Sequence, residues 1–508
     1  MTDVLMNRGL GPLRSIRSSI RSPVLVVFAA FLLAGCASFV GKPIEPASTA
    51  TVLEQRKLDD PKLAQFIGEV MPGRAMTTNS ESWDLSTLTL AALYFHPDME
   101  ISRAKLALAK AGIKTAKQIP NPTFSFGPGT YPALVDTSAW TIGFLVNFVL
   151  ETAGKRSKRI AVATHLTDAA RQDVATAAWQ VRAGVRSALL DLWAAEGRYK
   201  LVERRLTAQQ RIVTLLEGRF NAGDLSALDV ARERINLSQA RLALRDAERQ
   251  AGDARVRLAT AAGVPVRALE SQQLSLVAFD QPTDMPEGID LAENSLRRRA
   301  LQERTDVLGL LAEYEASQAG VKLQVAKQYP DLTFGPGYTY DQGFDLYSVN
   351  LSFELPIFNQ NQGPIAEAEA RRREAAARFM ALQSKVIGDI DRARVAYLAA
   401  LRSVGTADDL LRDQARQRGR VERSFRLGDA DRLAVLTSDV EQATVELSRF
   451  EAVVQQREAL ALIEDALQQS FYDPSTSYIQ SSGQRGAKLD LLRGAYSGVA
   501  DGSEKHKP

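Results

Sequence analysis

Four short stretches of the chain alternate apolar and polar residues with period two, the pattern of strands with one greasy and one wet face. In the first, Phe124, Phe126 and Pro128 fall on one side, with Thr123, Ser125 and Gly127 opposite. In the second, Trp140, Ile142, Phe144, Val146, Phe148 and Leu150 share a face; Thr141, Gly143 and Asn147 lie on the other, interrupted by Leu145 and Val149. The third sets Leu332, Phe334, Tyr338 and Tyr340 against Thr333, Gly335, Gly337 and Thr339. The fourth is the cleanest, with Tyr347, Val349, Leu351, Phe353 and Leu355 against Ser348, Asn350, Ser352 and Glu354. Such strands suit a soluble sandwich with one packed face. Four strands, however, cannot close a barrel, and they leave two open edges. Either partner chains close the sheet or it packs on something else.

Elsewhere the period is that of a helix. Val174, Ala177, Ala178, Val181, Val185, Ala188, Leu189 and Leu192 form an apolar stripe at helical spacing. Arg, Gln, Asp and Glu fill the remaining positions and read as a wetted face. No proline occurs in residues 133–264 or 365–473, and only Gly184 and Gly197 stand between Gly154 and Gly218. One helix over residues 155–218 would be about 96 Å long at 1.5 Å per residue. A short Gly-Asp tip and a returning helix, about residues 225–262 and again 432–471, complete two coiled-coil hairpins. Residues 37–80 hold little periodicity and read as an extended N-terminal strap. The tail after Asp473-Pro474 reads as loosely ordered.

The chain is written twice. Ala92-Leu93-Tyr94-Phe95-His96-Pro97-Asp98 lines up with Ala300-Leu301-Gln302-Glu303-Arg304-Thr305-Asp306, and Ala116-Lys117-Gln118-Ile119-Pro120 with Ala326-Lys327-Gln328-Tyr329-Pro330. Arg219-Phe220-Asn221-Ala222-Gly223-Asp224 lines up with Ser424-Phe425-Arg426-Leu427-Gly428-Asp429. The period is far longer than a solenoid's, so a whole half is duplicated: helix, two strands, long helix, tip, helix.

Charge and composition remove several function classes. The net charge of +3 is matched by Arg8, Arg14, Arg17 and Arg21 against Asp3, so the rest of the chain is neutral and lacks the basic footprint of a nucleic-acid binder. One cysteine excludes an internal disulfide and a Cys-rich zinc site. His96 and His165 stand on helices without ligand spacing. No Walker sequence, nucleophile elbow or paired metal-ligand motif occurs, so neither an enzyme nor a cofactor is expected.

The four arginines precede an apolar run over residues 24–34, too short to span a bilayer and of signal-peptide length. It ends in Leu33-Ala34-Gly35-Cys36, which resembles the lipobox of bacterial lipoproteins, cut before Cys36 and acylated there. Ala37, rather than Asp, implies sorting to the outer membrane. No other stretch reaches 18 apolar residues, so any crossing of a membrane would be as a β-barrel.

These features together resemble the TolC family of outer-membrane efflux proteins over about residues 85–471. To those above are added Pro120-Asn121-Pro122 and Tyr329-Pro330 before strands, Phe-x-x-Gly-Asp at both tips, and Asn359-Gln360-Asn361-Gln362-Gly363 where the second half turns back to helix. Gly154-Lys155-Arg156 after the second strand is similar to the heavy-metal and cation efflux branch. The resemblance implies an α+β membrane protein: a homotrimer whose protomers each give four strands to one 12-stranded β-barrel, continued by a long periplasmic α-helical barrel. The domains expected are a signal peptide (1–35), a lipidated N-terminal strap (36–84), a first repeat (85–264), a second repeat (265–471) and a flexible C-terminal tail (472–508). It further implies an outer-membrane exit duct for cations, heavy metals or drugs, working through a periplasmic adaptor with a proton-driven inner-membrane transporter. The alternatives are the duct of a type I secretion system and, in a different class, a structural coiled-coil lipoprotein.

The implied sites are Cys36 for lipidation; Arg219, Phe220, Gly223 and Asp224 for adaptor docking; and Phe425, Gly428, Asp429, Asp431 and Leu433 for the periplasmic tip and gate. The acidic gate residue of several family members is absent at Ala434 and Thr437. Asp429 and Asp431 either replace it as a cation-attracting ring or are solvated tip charges. Lys155 and Arg156 read as interfacial charges with no specific partner.

Overall fold

The computed structural model describes residues 39–71, 82–130, 140–280, 292–341 and 343–471; the expected leader, Cys36 and the tail lie outside them. The chain divides into two units at Val52 and Leu53. The described part of the first is an exposed stretch leading into helix α1 (Pro46–Glu54), which buries none of its residues.

The second unit continues with α2 (Pro61–Val70), α3 (Leu85–Phe95), α4 (Pro97–Lys117), strands β1 (Thr123–Thr130) and β2 (Trp140–Leu150), and the long helices α5 (Lys155–Asn221) and α6 (Ala227–Ala262). Two short helices, α7 (Val266–Glu270) and α8 (Val277–Asp280), lead to the second half. There α9 (Glu293–Glu303), α10 (Thr305–Ala326), β3 (Leu332–Asp341), β4 (Phe344–Phe353), α11 (Gln362–Leu427) and α12 (Arg432–Leu467) repeat the order of the first. α5 has 67 residues and α11 has 66. Both lengths follow from alanine-rich sequence without proline beyond the first turn, where α11 carries Pro364 at a position whose N–H needs no partner within the helix.

The strands form one antiparallel sheet in the order β1-β2-β3-β4. Phe126 pairs with Phe144, Phe144 with Tyr338, and Tyr338 with Tyr347. An aromatic row therefore crosses all four strands on one face, with ring centroids 5.3, 6.4 and 5.4 Å apart. Phe148, Phe334 and Leu351 form a second row, and Leu150, Leu332 and Phe353 a third. The opposite face is mostly small and polar, interrupted by Leu145, Val149, Phe344 and Leu346. A Cβ on Gly335 would meet Asn147 Oδ1 at 2.3 Å, and one on Gly337 would meet Ser348 Oγ at 2.7 Å. Neighbouring side chains have thus folded into the space those glycines leave. β1 and β4 remain as open edges.

The two largest clusters of buried residues among those described lie between the helices. One joins α2, α3, the middle of α5 and the end of α6 through Leu63, Leu88, Leu93, Val185, Leu189 and Leu258. The other joins α9, α11 and the end of α12 through Leu296, Val386, Ile390, Tyr397, Leu460 and Ile463.

Three sequence readings are corrected. The strap is not extended: Asp60 accepts a hydrogen bond from Lys62 N at 2.8 Å to start α2, and Leu63, Phe66 and Ile67 bury on the core. α12 ends at Leu467 rather than at 471. There Gln468 turns left-handed (φ 51°), and its side chain accepts from Thr305 N and Oγ1, both at 2.9 Å. Finally, the face of α5 read as wetted is partly buried. Arg182 and Arg186 are each 1% exposed, and Arg186 is bonded to Glu464 at 2.6 Å and Asp465 at 2.7 Å. Burial opposes the Arg186 charge, yet the two carboxylates outweigh it and hold the guanidinium above its ordinary range.

Candidate functional site

The residues assigned to gating and docking lie at the ends of the two hairpins. Each long helix stops at a glycine in the left-handed region, Gly223 and Gly428, both with φ 85°. A Cβ there would be strained. At the first tip the amide of Gly223 donates to Phe220 O at 3.0 Å and that of Asp224 to Arg219 O at 2.9 Å. At the second, Gly428 donates to Phe425 O at 3.1 Å and Asp429 to Ser424 O at 2.9 Å. Both turns thus satisfy carbonyls left over by their helices. The returning helices start from side-chain caps: Ser226 Oγ accepts from Asp229 N at 3.3 Å and Asp431 Oδ1 from Ala434 N at 2.9 Å.

The structure brings the two tips together. Arg219 Nη1 lies 3.0 Å from Asp431 Oδ2, so a residue expected on the docking side and one expected on the gate side are partners. The Ala434 amide first, and the Arg219 guanidinium after it, hold the Asp431 carboxyl below the usual carboxylate range. Behind this pair Ile212, Leu216, Val230 and Leu436 are buried, with Leu215, Leu225, Leu433 and Val440 packed against them. Leu433 therefore belongs to a cluster that both hairpins build. The Arg432 guanidinium sits 5.7 Å from the centre of the Phe425 ring, a cation–π contact. Asp224 and Asp429 are exposed. So are Leu228 and Leu427, at 70% and 78%. Sequence reasoning passed over those two leucines, although Leu427 stands directly before the tip glycine.

The other end of the long helices carries a second polar arrangement. Ala153 (φ 52°) and Gly154 (φ 67°) turn the chain sharply after β2. The turn carries Lys155 inward, where Nζ meets Asp331 Oδ1 at 2.7 Å. Lys155 is buried and paired, which corrects its reading as a charge without a specific partner. Arg156 Nε donates to Lys117 O at 3.0 Å, and Arg159 binds Glu151 at 2.6 Å while reaching Ala116 O and Gln118 O. These bonds tie the end of α4 and the starts of β3 and α5 into one collar under the sheet.

His96 Nδ1 caps α4 by accepting from Asp98 N at 3.3 Å, and burial lowers its pKa. Among the described residues no group of three or more His, Cys, Asp or Glu is placed to hold a metal. No described helix is long and apolar enough to cross a membrane.

Comparison with known proteins bears on these features. The sequence model of the family described as Outer membrane efflux protein matches residues 90–264 and 296–467. The chain is 26% identical over 286 residues to the cobalt-zinc-cadmium resistance protein CzcC of Cupriavidus metallidurans, a match covering 56% of this chain and 65% of that one, just under two thirds of its length. It is 24% identical over 392 residues to the pyoverdine export outer membrane protein OpmQ of Pseudomonas aeruginosa, covering 70% of this chain and 79% of OpmQ. Among solved structures, the outer membrane protein VceC of Vibrio cholerae superposes with a TM-score of 0.62 at 18% identity, covering 76% of this chain and 96% of VceC. CusC superposes with a TM-score of 0.62 at 15% identity, covering 79% and 97%.

Proposed function

Because the chain belongs to the outer membrane efflux protein family, we propose that it is the exit duct of a tripartite efflux system, passive itself and driven from the inner membrane. The sheet register carries this reading. The three apolar rows that cross the sheet face one side, a glycine-rich and mostly polar face lies opposite, interrupted by Leu145, Val149, Phe344 and Leu346, and both edges are open. A 12-stranded barrel of three copies closes those edges, sets the aromatic rows against lipid and lines the lumen with polar residues. Cys36 anchors the chain by acylation. The hairpins extend into the periplasm, where their tips close the lumen through the apolar cluster and the Arg219–Asp431 pair. A periplasmic adaptor docks on the exposed tip residues Phe220, Gly223 and Asp224, and a proton-driven transporter supplies the energy.

Heavy-metal cations are the proposed cargo. The likeness to CzcC and the Gly154-Lys155-Arg156 turn support this; export of small organic molecules is the second reading, supported by the likeness to OpmQ. A strain lacking the chain should become more sensitive to cobalt, zinc and cadmium and recover with the full-length gene. Unchanged metal tolerance with retained organic cargo would favour the second reading, and no change in either would defeat the efflux role.

A further inference from the structure

The wet face of the sheet carries an arrangement that neither gating nor docking accounts for. Gly127 of β1 stands opposite Gly143 of β2, and Gly335 and Gly337 lie two residues apart on β3. The space that the β3 glycines leave is taken by neighbours lying along the sheet. A Cβ on Gly335 would overlap the Asn147 amide, and one on Gly337 would fall 2.7 Å from Ser348 Oγ. Leu145, one of the bulky side chains that interrupt this face, lies across both, with Cδ1 3.2 Å from either Cβ position. Over Gly127 the space is open, and a Cβ there would meet nothing within 4 Å.

The same face offers ions little to sort them by. Among the described strand residues on it, only Asp341 is charged, and it sits at the end remote from the helices, where Thr141 Oγ1 donates to it at 2.9 Å. Pores that discriminate ions by charge line their walls with charged rings. What this face controls is width. Three copies closed into 12 strands, about 4.8 Å apart and tilted by about 40°, enclose a ring of backbone about 24 Å across. A side chain that stands inward narrows that ring at three places at once, and one that lies flat over a glycine narrows it little.

We infer that Gly127, Gly143, Gly335 and Gly337 are size-determining positions: they keep the barrel lumen wide enough for bulky polar organic solutes and fix the largest one it admits. A hydrated cation needs no such width, so the wall of the barrel is shaped for a cargo class beyond bare ions. The inference rests on the channel reading and deepens it. Glycines in a strand also serve a sheet that has to bend sharply. The two roles part when side chains are added. A lost bend disturbs assembly and every entry alike, whereas a narrowed bore turns away only the large solutes.

The test asks which reagents, added outside intact cells, reach a cysteine placed below the glycines by Ser352→Cys. Ser352 pairs with Thr333, two residues nearer the helices than Gly335. The reagents are membrane-impermeant maleimides carrying polyethylene glycol of graded length, and the unmutated chain, whose one cysteine is Cys36, is the blank. The size at which labelling stops should fall when Gly335→Ala and Gly337→Ala together push Asn147, Leu145 and Ser348 off the wall. Leu145→Ala added to that chain should restore much of the lost range, a rescue that a loss of sheet curvature does not give. Gly127→Leu, which adds a side chain into open space, should also lower the limit, and it carries the test should the double variant not assemble. In every chain the smallest reagent should label as fast as it labels Ser352→Cys alone. The inference is overturned if the limit stays in place in the narrowed chains, if small and large reagents are slowed alike, or if Leu145→Ala restores nothing. Failure of even the smallest reagent to label Ser352→Cys would show that the wet face lines no pore open to the outside; that sinks the channel reading, and this inference with it, and is a different result from a limit that does not move.

Discussion

Asp429 and Asp431 are two residues apart and looked interchangeable as members of an acidic ring. Their surroundings separate them. Asp431 caps α12 and pairs with Arg219, whereas Asp429 stands exposed. Asp429→Asn should therefore shift the cation preference of the pore, read as a reversal potential in a salt gradient, because a free carboxylate acts on ions over about 8–10 Å. Asp431→Ala removes a cap contributing about 1 kcal/mol and an exposed ion pair contributing about 0.2–1 kcal/mol, and should raise open probability instead. The pH dependence has a definite sign. A carboxyl held low in the folded state contributes its stabilisation above its unfolded pKa and loses it as pH falls through the folded value. Tip closure should hold at neutral pH, begin to weaken as pH falls into the ordinary carboxylate range, and lose this contribution below the depressed value of Asp431. The glycines at both tips were legible because a tight reversal needs positive φ. The Arg219–Asp431 pair was not, because nothing in one tip's sequence points to a partner about 210 residues away. Lys155, Arg182 and Arg186 were misread for a related reason: a charged residue between apolar ones reads as wet until its buried partner is known.

At the scale of elements, strands and long helices were legible because each is amphipathic along its whole length. Tyr347, Val349, Leu351 and Phe353 fix the face of β4 without reference to any other strand, and the register sets them beside Tyr338, Pro336, Phe334 and Leu332. Phe353→Arg should therefore lower trimer yield in membranes well below that of Ser352→Arg, since an arginine at the midplane on the lipid side costs roughly 2–4 kcal/mol. Equal yields would contradict the assigned faces. The strap was not legible. α2 has only 10 residues, and its apolar side makes sense only against the core it covers. The joint between the two repeats is a matter of elements too. Glu464→Gln should destabilise, by up to about 3 kcal/mol, because it removes the buried carboxylate that Arg182 and Arg186 share and leaves Arg186 with Asp465 and Arg182 with Ser470, and replacing Arg186 and Glu464 together by Met and Leu should recover much of that. Thermal melts of the unmutated protein and these two variants measure this, and equal losses in the single and double variants would mean the charges are not coupled.

For the molecule as a whole, duplication explains why two open edges and two hairpins occur in one chain: each repeat supplies one strand pair and one hairpin, and neither closes anything alone. Cys36→Ala should leave an unprocessed or mislocalised precursor, seen as a mass that still includes the leader, whereas an unmutated mature protein without lipid would contradict acylation at Cys36. The central claim, a passive pore of three copies shut at its tips, is tested most directly by single-channel recording of the purified protein in a planar bilayer. The unmutated assembly should conduct poorly, and the Arg219→Ala, Asp431→Ala double variant should conduct several-fold more at the same voltage. A double variant that inserts as a trimer and conducts no better than the unmutated protein would contradict closure at the tips, and trimers that never conduct would contradict the pore itself.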